Sequence, residues 1–572
     1  MENSLRGNVI YGLSITALLF ALLYLLVLTV LPVEIRWSMS ERLLDNALPF
    51  VCVYIVVLLV FKQARVKFTS GDCFITVWAM YCLGRIWIGA EYPCSTIAIR
   101  GIILLITYFC LRLLFACTKE RRVLQVALIV GILLCGGYEA ICGISQLLAG
   151  NSRHAQYLLT GTFMNPGPYS GYLMLVIVIC MAWSPDQRYL KLFRNTMLVL
   201  SIMTLPATWS RAAFVAVILL ALWLYRKSYW RWRYVVWGGL FVVGACLYFL
   251  KQGSADGRLL IWQASLLSWS ETPLWGVGIG GFPKAYSDGI AELYTTNPDT
   301  HLFASAGVTE YAFNDLLKVL VEQGIVGLGL LLLVLCTVLF HLYRSSRPLF
   351  YGMLGMLVFS LFSYPMELFP YQIMVVVIVA YAESDASHQC AVPVNRWWLV
   401  GSLLLMVLIS FWIQKMVLQR AEYHRDYKLF AHMDDHAFIQ DFYELMPYEQ
   451  DNPEFLFLFG KLLRTHGRFA DSNAILRKGA HISSDPMFHV LIGNNYKDLN
   501  LYEEAEAAYR ESFNRMPNRL YPLYQLMELY RASGDEAKMK DMAEQVIRMQ
   551  EKITSPATME MKEKANEILK RM

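Results

Sequence analysis

Four arginines stand beside or between long apolar runs, where ionisable side chains are costly and usually line a cavity, a pathway or an ion pair. Arg85 lies in "YCLGRIWIGAEYP" and Arg100 in "STIAIRGIILL". Arg211 follows Ser210 between two apolar runs, and Arg258 opens "RLLIWQASL". Guanidinium groups bind phosphate oxygens bidentately and stabilise the negative charge that builds up on a departing diphosphate. These residues therefore predict chemistry on a diphosphate at a membrane surface.

A structural role is the alternative for two of these arginines. Arg85 and Arg100 lie near Glu91 in the sequence and can pair with it, and long cationic side chains also reach the membrane interface by snorkelling. The 12 cysteines lie mostly in or beside apolar runs and have no paired spacing such as C-x-x-C. We therefore expect no metal site and no other cofactor.

The composition is that of an integral membrane protein. Of 572 residues, 56% are hydrophobic and 17% charged, which is more apolar than one soluble core could bury. The net charge of +5 is spread in short clusters, which argues against a nucleic-acid partner. Apolar runs of spanning length predict an all-α, polytopic membrane helical bundle of about 12–13 spans. The expected spans lie near residues 9–31, 46–61, 72–90, 95–117, 123–149, 169–184, 194–208, 211–225, 234–250, 316–341, 348–382 (two helices) and 397–413.

Basic residues fall in alternate short loops, as the positive-inside rule requires. The rule places the amino terminus in the cytoplasm and the loops 150–168 and 251–315 outside, which in a bacterium is the periplasm. The run 348–382 is broken by "SYPMELFP", which predicts two helices joined by a tight hairpin at Pro365 and Pro370. The odd number of spans then puts the tail after residue 413 in the periplasm. A single span over this run would put the tail in the cytoplasm.

The carboxyl-terminal part of the chain is charged and helical in pattern. The predicted domains are a transmembrane domain over residues 1–419 and a soluble α-helical repeat tail over residues 420–572. The segment "LIGNNYKDLNLYEEAEAAYRESFNRMP" spaces Gly493, Tyr509 and Pro517 as in a tetratricopeptide repeat. Such repeats present a groove to a protein partner. The alternative is a helical bundle without repeats.

Several short motifs occur in order between about residues 120 and 385: "TGTFMNPGPYSGYLML", "TWSRAAFVA", "GRLLIWQASL", "TPLWGVGIGGF" and "EYAFNDLLKVLVEQGIVGLGL". The series resembles the O-antigen ligase and O-antigen polymerase superfamily, which includes bacterial O-linked oligosaccharyltransferases. The resemblance implies a membrane glycosyltransferase fold, an undecaprenyl-diphosphate-linked glycan as donor, and metal-independent inversion at the anomeric carbon. It assigns the family's arginines to Arg211 and Arg258. The candidate substrate-binding residues are Arg85, Arg100, Asn165, Ser210 and His301.

One family position is different in this chain. Many members have Ala-His-Asn before the helix that follows the large loop, whereas here Phe313 stands between Ala312 and Asn314. A phenylalanine cannot move a proton. Glu310, one helical turn earlier on the same face, is a candidate base, and His301 is the competing one. Asn314 is expected to orient the substrate, and a transfer that needs only weak base assistance is the third possibility.

Three functions fit these patterns. The first is a ligase or oligosaccharyltransferase that moves a finished glycan to a lipid core or a protein hydroxyl, and the second is a polymerase whose acceptor is another lipid-linked repeat unit. The third is a non-enzymatic glycolipid transporter with the tail as a scaffold. Polar residues gather near one face instead of lining the full membrane depth, which favours an enzyme. Expected partners in the bacterial inner membrane are the lipid-linked glycan, an acceptor lipid or protein, membrane lipids, and a protein bound by the tail.

Overall fold

The computed structural model consists of packed α-helices along most of the chain. It describes residues 16, 18–32, 39–62, 67–88, 94–116, 120–152, 154, 156–235, 238–239, 252–298, 300–384, 392–393, 395–430, 439–550 and 554–571. The β-structure among these residues is one antiparallel pair of two-residue strands, β1 (Lys67–Phe68) and β2 (Val392–Pro393). The described chain is therefore all-α in character, as the sequence predicts.

The helices up to residue 430 form one bundle. In chain order they are α1 (Leu18–Leu28), α2 (Met39–Lys62), α3 (Ser70–Trp87), α4 (Ser95–Ala116), α5 (Arg121–Ala149), α6 (Pro166–Ala182), α7 (Arg188–Thr204), α8 (Arg211–Leu224), α9 (Arg226–Tyr229), α10 (Gln252–Glu271), α11 (Phe282–Thr296), α12 (Asp315–Ser345), α13 (Arg347–Ser360), α14 (Phe369–Glu383) and α15 (Arg396–Phe430). Short 3₁₀ helices are Leu205–Thr208, Trp230–Trp232, His301–Ser305 and Pro365–Glu367.

Among the described residues, four helices are long and apolar enough to cross a membrane: α4, α5, α12 and the part Trp397–Met416 of α15. Helices α1, α6, α8 and α14 are apolar but shorter. Helix α6 is buried from Pro168 to Cys180 and therefore lies inside the bundle. The number of about 12–13 spans stays a prediction. The expected span 234–250 lies largely outside the described residues.

The apolar run 348–382 forms two helices, as the sequence predicts. Helices α13 and α14 are separated by the 3₁₀ turn Pro365–Glu367. Helix α14 returns to the side where α12 ends, since the Glu383 carboxylate lies 2.8 Å from His341 Nδ1 and accepts a hydrogen bond from Thr69 Oγ1 at 2.5 Å. The turn between the two helices therefore lies at the opposite face of the bundle.

Residues 252–314 form a helical layer at that opposite face, which we call the loop face. Helices α10 and α11 pack together through Leu260, Phe282 and Ile290, which are almost fully buried. The layer ends in the irregular segment 306–314, which leads into α12. The loop face thus collects most of the polar candidates of the sequence analysis.

Helix α12 is interrupted at Gly324, whose φ of 66° and ψ of −171° are not helical. The interruption lets residues 321–326 pair with the glycine-rich segment 273–278 through backbone hydrogen bonds of 2.9–3.3 Å. The Glu322 carboxylate accepts two more from backbone N–H groups just beyond that segment, at 3.1 and 3.3 Å. The loop-face layer is therefore fastened to the membrane helix at this break.

The carboxyl-terminal helices pack as successive neighbours around two small cores. They are α16 (Ile439–Glu449), α17 (Pro453–Thr465), α18 (Phe469–Ile482), α19 (Met487–Asp498), α20 (Tyr502–Arg515), α21 (Leu520–Ser533), α22 (Glu536–Arg548) and α23 (Pro556–Arg571). Phe455 and Leu476 belong to the first core, Tyr509 and Leu526 to the second. The tetratricopeptide assignment stays a prediction. The domain boundary expected at residue 419 falls inside α15.

The tail packs against the loop face. Arg515 pairs with Asp288 at 2.6 Å, and Met516 is buried among the loop-face residues. The ring of Phe513 meets that of Tyr294 edge to face at a centroid distance of 5.5 Å. The tail and the large loop therefore lie on the same side of the bundle. This is the arrangement expected if the run 348–382 forms two helices.

Candidate functional site

A cleft of about 550 Å³ opens at the loop face, where the starts of α6, α8 and α10 meet the segment that leads into α12. Five of the nine candidate residues line it, and the structure thus brings together positions that are far apart in the sequence. The lining includes Tyr157, Asn165, Trp209, Ser210, Arg211, Ser254, Arg258, Glu310, Tyr311, Phe313 and Tyr364.

Two neighbouring helices bring the cleft arginines together. Arg211 is the first residue of α8, whose N-cap Ser210 accepts a hydrogen bond from Ala213 N at 3.5 Å. Arg211 donates to Ser254 Oγ at 3.2 Å. Arg258 stands four residues after Ser254 on α10 and therefore shares its helical face. The contact between α8 and α10 thus places both guanidinium groups in one cleft.

The electrostatics of the cleft favour an anion. Burial and the positive charge of Arg211 lower the pKa of Arg258 to about 10, so its guanidinium is still protonated at neutral pH. Within the described part of the chain, no carboxylate forms an ion pair with Arg258. Two neighbouring cations are both stabilised by an anion between them. The N-termini of α6 and α8 add positive ends of helix dipoles, so the cleft is suited to a phosphate or diphosphate.

Phe313 takes the place of the family histidine as an aromatic platform. The guanidinium of Arg258 lies 5.2 Å from the centroid of the Phe313 ring, a cation–π contact. The same ring is edge-on to Tyr364 at 5.3 Å, and Tyr364 stacks on Tyr311 at 4.1 Å. Burial raises the pKa of Tyr311 to about 12, so its hydroxyl stays protonated at neutral pH. Phe313 therefore contacts an arginine at the position where the resemblance leads one to expect a histidine.

Glu310 lines the cleft from an exposed position, but not on a helix. The expectation that Glu310 and Phe313 share a helical face is wrong, because α12 begins at Asp315 and Phe313 has a left-handed φ of 50°. Hydrogen bonds between Thr309 and Tyr311 keep the segment irregular. Both side chains reach the cleft all the same. No hydrogen bond or ion pair joins Glu310 to the residues that the structure describes, and its role as base stays a prediction.

Three residues with left-handed backbone surround the cleft. Met164, Trp209 and Phe313 have φ values of 53°, 51° and 50°. Met164 precedes Asn165, the N-cap of α6, which accepts a hydrogen bond from Gly167 N at 2.8 Å. Such conformations cost about 1–3 kcal/mol each and persist where the surroundings fix them, often at functional sites. The starts of three helices are therefore fixed around the cleft.

Asn314 and His301 are not brought into the cleft. Asn314 is the N-cap of α12, and its Oδ1 accepts a hydrogen bond from Leu317 N at 3.1 Å. His301 is exposed at the start of a 3₁₀ helix and is absent from the cleft lining. Asn314 therefore caps α12 and His301 lies away from the cleft lining, and the roles expected for both residues stay predictions.

Arg85 and Arg100 also lie outside the cleft. Arg85 donates to the backbone carbonyl of Gly276 at 2.9 Å and so supports the glycine-rich segment. Arg100 pairs with Glu41 at 2.5 Å. Both arginines thus have partners other than the expected Glu91, which lies outside the described residues, and their substrate-binding role stays a prediction.

The aromatic lining of the cleft was not predicted from the sequence. Trp209 belongs to the motif "TWSRAAFVA" but was given no role, and Tyr364 was considered only as part of the break between two helices. No sequence pattern pointed to Tyr157. Aromatic residues beside polar breaks in apolar runs were the available clue, because they mark interfaces where one end of the ring is wet.

A second cavity, of about 450 Å³, lies close to the cleft. Its walls come mainly from apolar side chains of α3, α4, α12, α13 and α14. Charged groups among its lining include Arg100, Lys318 and Glu367, and the last two form an ion pair at 2.8 Å. An apolar cavity with a charged end is suited to a lipid chain with a polar head.

The fold and the cleft define a helical membrane protein with a cationic cleft at one face. Among the residues described, no group of three or more His, Cys, Asp or Glu side chains could hold a metal ion. Residues 196–332 match the model of the O-antigen ligase family. This stretch is therefore similar to O-antigen ligases, which confirms the resemblance and supports a ligase- or polymerase-like glycan transferase. No curated protein sequence matches the chain.

Proposed function

We propose that this protein transfers a glycan from an undecaprenyl-diphosphate carrier to a hydroxyl of a lipid core or a protein, at the periplasmic face of the bacterial inner membrane. The observation that carries the proposal is the pair Arg211 and Arg258 in one cleft, within the stretch that matches O-antigen ligases. The loop face is then the periplasmic face. Residues 1–419 form the transferase domain, and residues 420–572 the repeat tail that recruits a partner.

The donor diphosphate lies between Arg211 and Arg258 in this proposal. When the bond between the anomeric carbon and the diphosphate oxygen breaks, the electron pair stays on that oxygen. Preorganised cations stabilise this developing charge more than the charge of the ground state, which lowers the barrier. Undecaprenyl diphosphate is the leaving group.

The acceptor hydroxyl attacks the anomeric carbon from the face opposite the diphosphate, so the configuration inverts. Its proton passes to the carboxylate of Glu310, which lines the same cleft. The balance is complete, because Glu310 gains the proton that the hydroxyl loses and the diphosphate oxygen gains the electron pair of the broken bond.

The apolar cavity beside the cleft supports a lipid substrate. Its lining residues Asp315 and Met366 follow closely on Phe313 and Tyr364 of the cleft, so the two cavities are neighbours. A substrate with a polyprenyl or acyl chain can therefore leave its chain among apolar side chains and present its polar head at the loop face.

Product analysis tests the proposal. Purified full-length protein is mixed with a lipid-linked glycan and, in separate reactions, with a lipid-core acceptor, a protein acceptor or no further acceptor. Glycan attached to lipid or protein, with release of undecaprenyl diphosphate, is the expected result. Lengthening of the lipid-linked glycan would identify a polymerase instead. Movement of intact glycolipid across a vesicle membrane, with no bond broken, would contradict transfer altogether.

A further inference from the structure

The tail holds the segment that carries Glu310. Ser484 Oγ accepts a hydrogen bond from Thr309 N at 3.0 Å and donates one to Thr309 O at 2.9 Å. One tail side chain thus satisfies both backbone groups of the residue before Glu310. Ser484 is only 2% exposed, so water does not compete well for these bonds. The two hydrogen bonds therefore fix the path of the chain at this point.

A second residue of the tail contacts the same segment a few residues before Thr309. Asn518 Nδ2 donates to the carbonyl oxygens of Ala306 at 2.9 Å and Ala304 at 3.3 Å. Met516, two residues before, is 1% exposed within the loop-face core. The tail therefore holds the backbone of residues 304–309 at both ends, and not through one surface contact.

The same segment continues directly into the cleft. Thr309 Oγ1 accepts a hydrogen bond from Tyr311 N at 3.1 Å and donates one to Tyr311 O at 3.0 Å. Tyr311 in turn stacks on Tyr364, at the cleft wall. Both chain neighbours of Glu310 are thus fixed, one by the tail and the other by the cleft.

We propose that the tail is a positioning element of the transferase site, in which Ser484 and Asn518 fix residues 304–311 so that Glu310 is presented to the acceptor hydroxyl. The proposal rests on the proposed function, because that function gives Glu310 the proton. Neither tail residue lines the cleft, so both act through the segment they hold. A displacement of a reacting group by about 1 Å can cost about 100-fold in rate. Small movements of this segment are therefore expected to matter.

The test compares Ser484→Ala with Ser533→Ala in the full-length protein. Ser533 is a matched control on the exposed surface of the tail, and its Oγ bonds the Tyr530 carbonyl of its own helix at 3.2 Å. Ser484→Ala is expected to lower kcat about tenfold, and more when combined with Asn518→Ala. The dissociation constant for undecaprenyl diphosphate, the probe of the arginines, is expected to stay within about twofold.

Hydrogen exchange supplies the structural readout. Peptides covering residues 304–312 are expected to exchange faster in Ser484→Ala, with the remaining peptides unchanged, because the local opening energy falls where the two hydrogen bonds are lost. Ser533→Ala is expected to change neither kcat nor exchange in this segment. If Ser484→Ala is not obtained in folded form, Asn518→Ala gives the same measurement.

Three results would overturn the positioning role. Faster exchange with normal kcat would show that the segment need not be held, and unchanged exchange with unchanged kcat would show that the tail does not hold it. Equal losses in kcat and in binding of undecaprenyl diphosphate would mean that the tail only supports the fold. Normal transfer by both Arg211→Ala and Arg258→Ala would instead refute the proposed function itself.

Discussion

The two cleft arginines differ in their surroundings. Arg211 begins a helix at the edge of the cleft and bonds Ser254, whereas Arg258 is half-buried against Phe313. Burial lowers the pKa of Arg258 to about 10, which means that its charge is poorly solvated before a substrate arrives. A poorly solvated cation gains more from a diphosphate than an exposed one. Transfer should therefore depend most strongly on Arg258.

We expect Arg258→Ala to lower the transfer rate by about 100-fold or more, comparable with the loss of one oxyanion-hole donor. Arg258→Lys should recover little, because Lys lacks the planar fork and its pKa falls further in the same half-buried place beside Arg211. Initial rates at equal protein level are the measurement, and Arg226→Ala on the exposed helix α9 is the control. Arg211→Ala should show a smaller loss in the same direction. Full activity of both Ala variants would exclude a diphosphate site in this cleft.

Glu310→Gln should lower kcat by about 100-fold, as is typical of a lost general base, with the dissociation constant for undecaprenyl diphosphate little changed. His301→Ala is the matched control and should leave kcat unchanged, since His301 lies outside the cleft. Rates are measured with the same lipid-linked glycan across the pH range. Normal turnover by Glu310→Gln would mean that the arginine-stabilised leaving group drives transfer without this base.

The sequence was sufficient to predict some site residues and not others. Arg211 and Arg258 stood out because charge beside apolar runs is rare and needs a reason, whereas Glu310 was chosen from a helical periodicity that this segment does not have. His301 and Asn314 were equally visible, yet the structure places them elsewhere. The difference depends on the irregular path of residues 306–314, which helical periodicity does not describe and which tail contacts help to set.

At the scale of elements, the break in α12 positions the loop-face layer, because the backbone at the break pairs with residues 273–278 of that layer. Gly324 has a positive φ of 66°, and a Cβ there would collide with the carbonyl of Leu274. Gly276, also at positive φ, faces the backbone of Val321 and Glu322 in the same way. The two motifs that contain these glycines form one backbone-paired unit in this structure. The sequence predicted both motifs and the long helix, but not the pairing between them.

Gly324→Ala should destabilise the protein by about 1–3 kcal/mol, because the residue is forced into a left-handed conformation and against backbone. Gly329→Ala on the same helix is the control, since a Cβ there meets nothing within 4 Å. Alanine in a regular helix is neutral or slightly stabilising. Thermal unfolding in detergent, followed by transfer rates, distinguishes the two variants. Equal Tm values would show that the break tolerates a side chain.

At the scale of the whole molecule, two helices in the Pro-containing run and the contacts of the tail agree on one arrangement. The turn Pro365–Glu367, the large loop and the tail all lie at the loop face. Charge in short loops predicted this arrangement from sequence, because the positive-inside rule acts on the whole series of spans. The packing of the tail on α11 was not predictable, since a local sequence pattern does not indicate which other element a helix will pack against.

Cysteines introduced at Thr295 and Ser533 should both react with an impermeant thiol reagent in intact spheroplasts, in a background without native cysteines. Both positions are exposed, one at the end of α11 and one in the tail. A cysteine at Gln187, in the exposed turn before α7, should be protected until the membrane is broken. Labelling at Thr295 without labelling at Ser533 would separate the tail from the loop face.

The hydrogen bonds between Ser484 and Thr309 join residues 175 positions apart in the chain. A ribosome therefore completes the helices around the cleft long before it makes the residues that hold the Glu310 segment. A chain that stops after α15 contains both cleft arginines but lacks Ser484 and Asn518. Under the positioning role, such an incomplete product would hold the carrier without using it efficiently. Full activity would then begin only when synthesis has passed Asn518 in the tail.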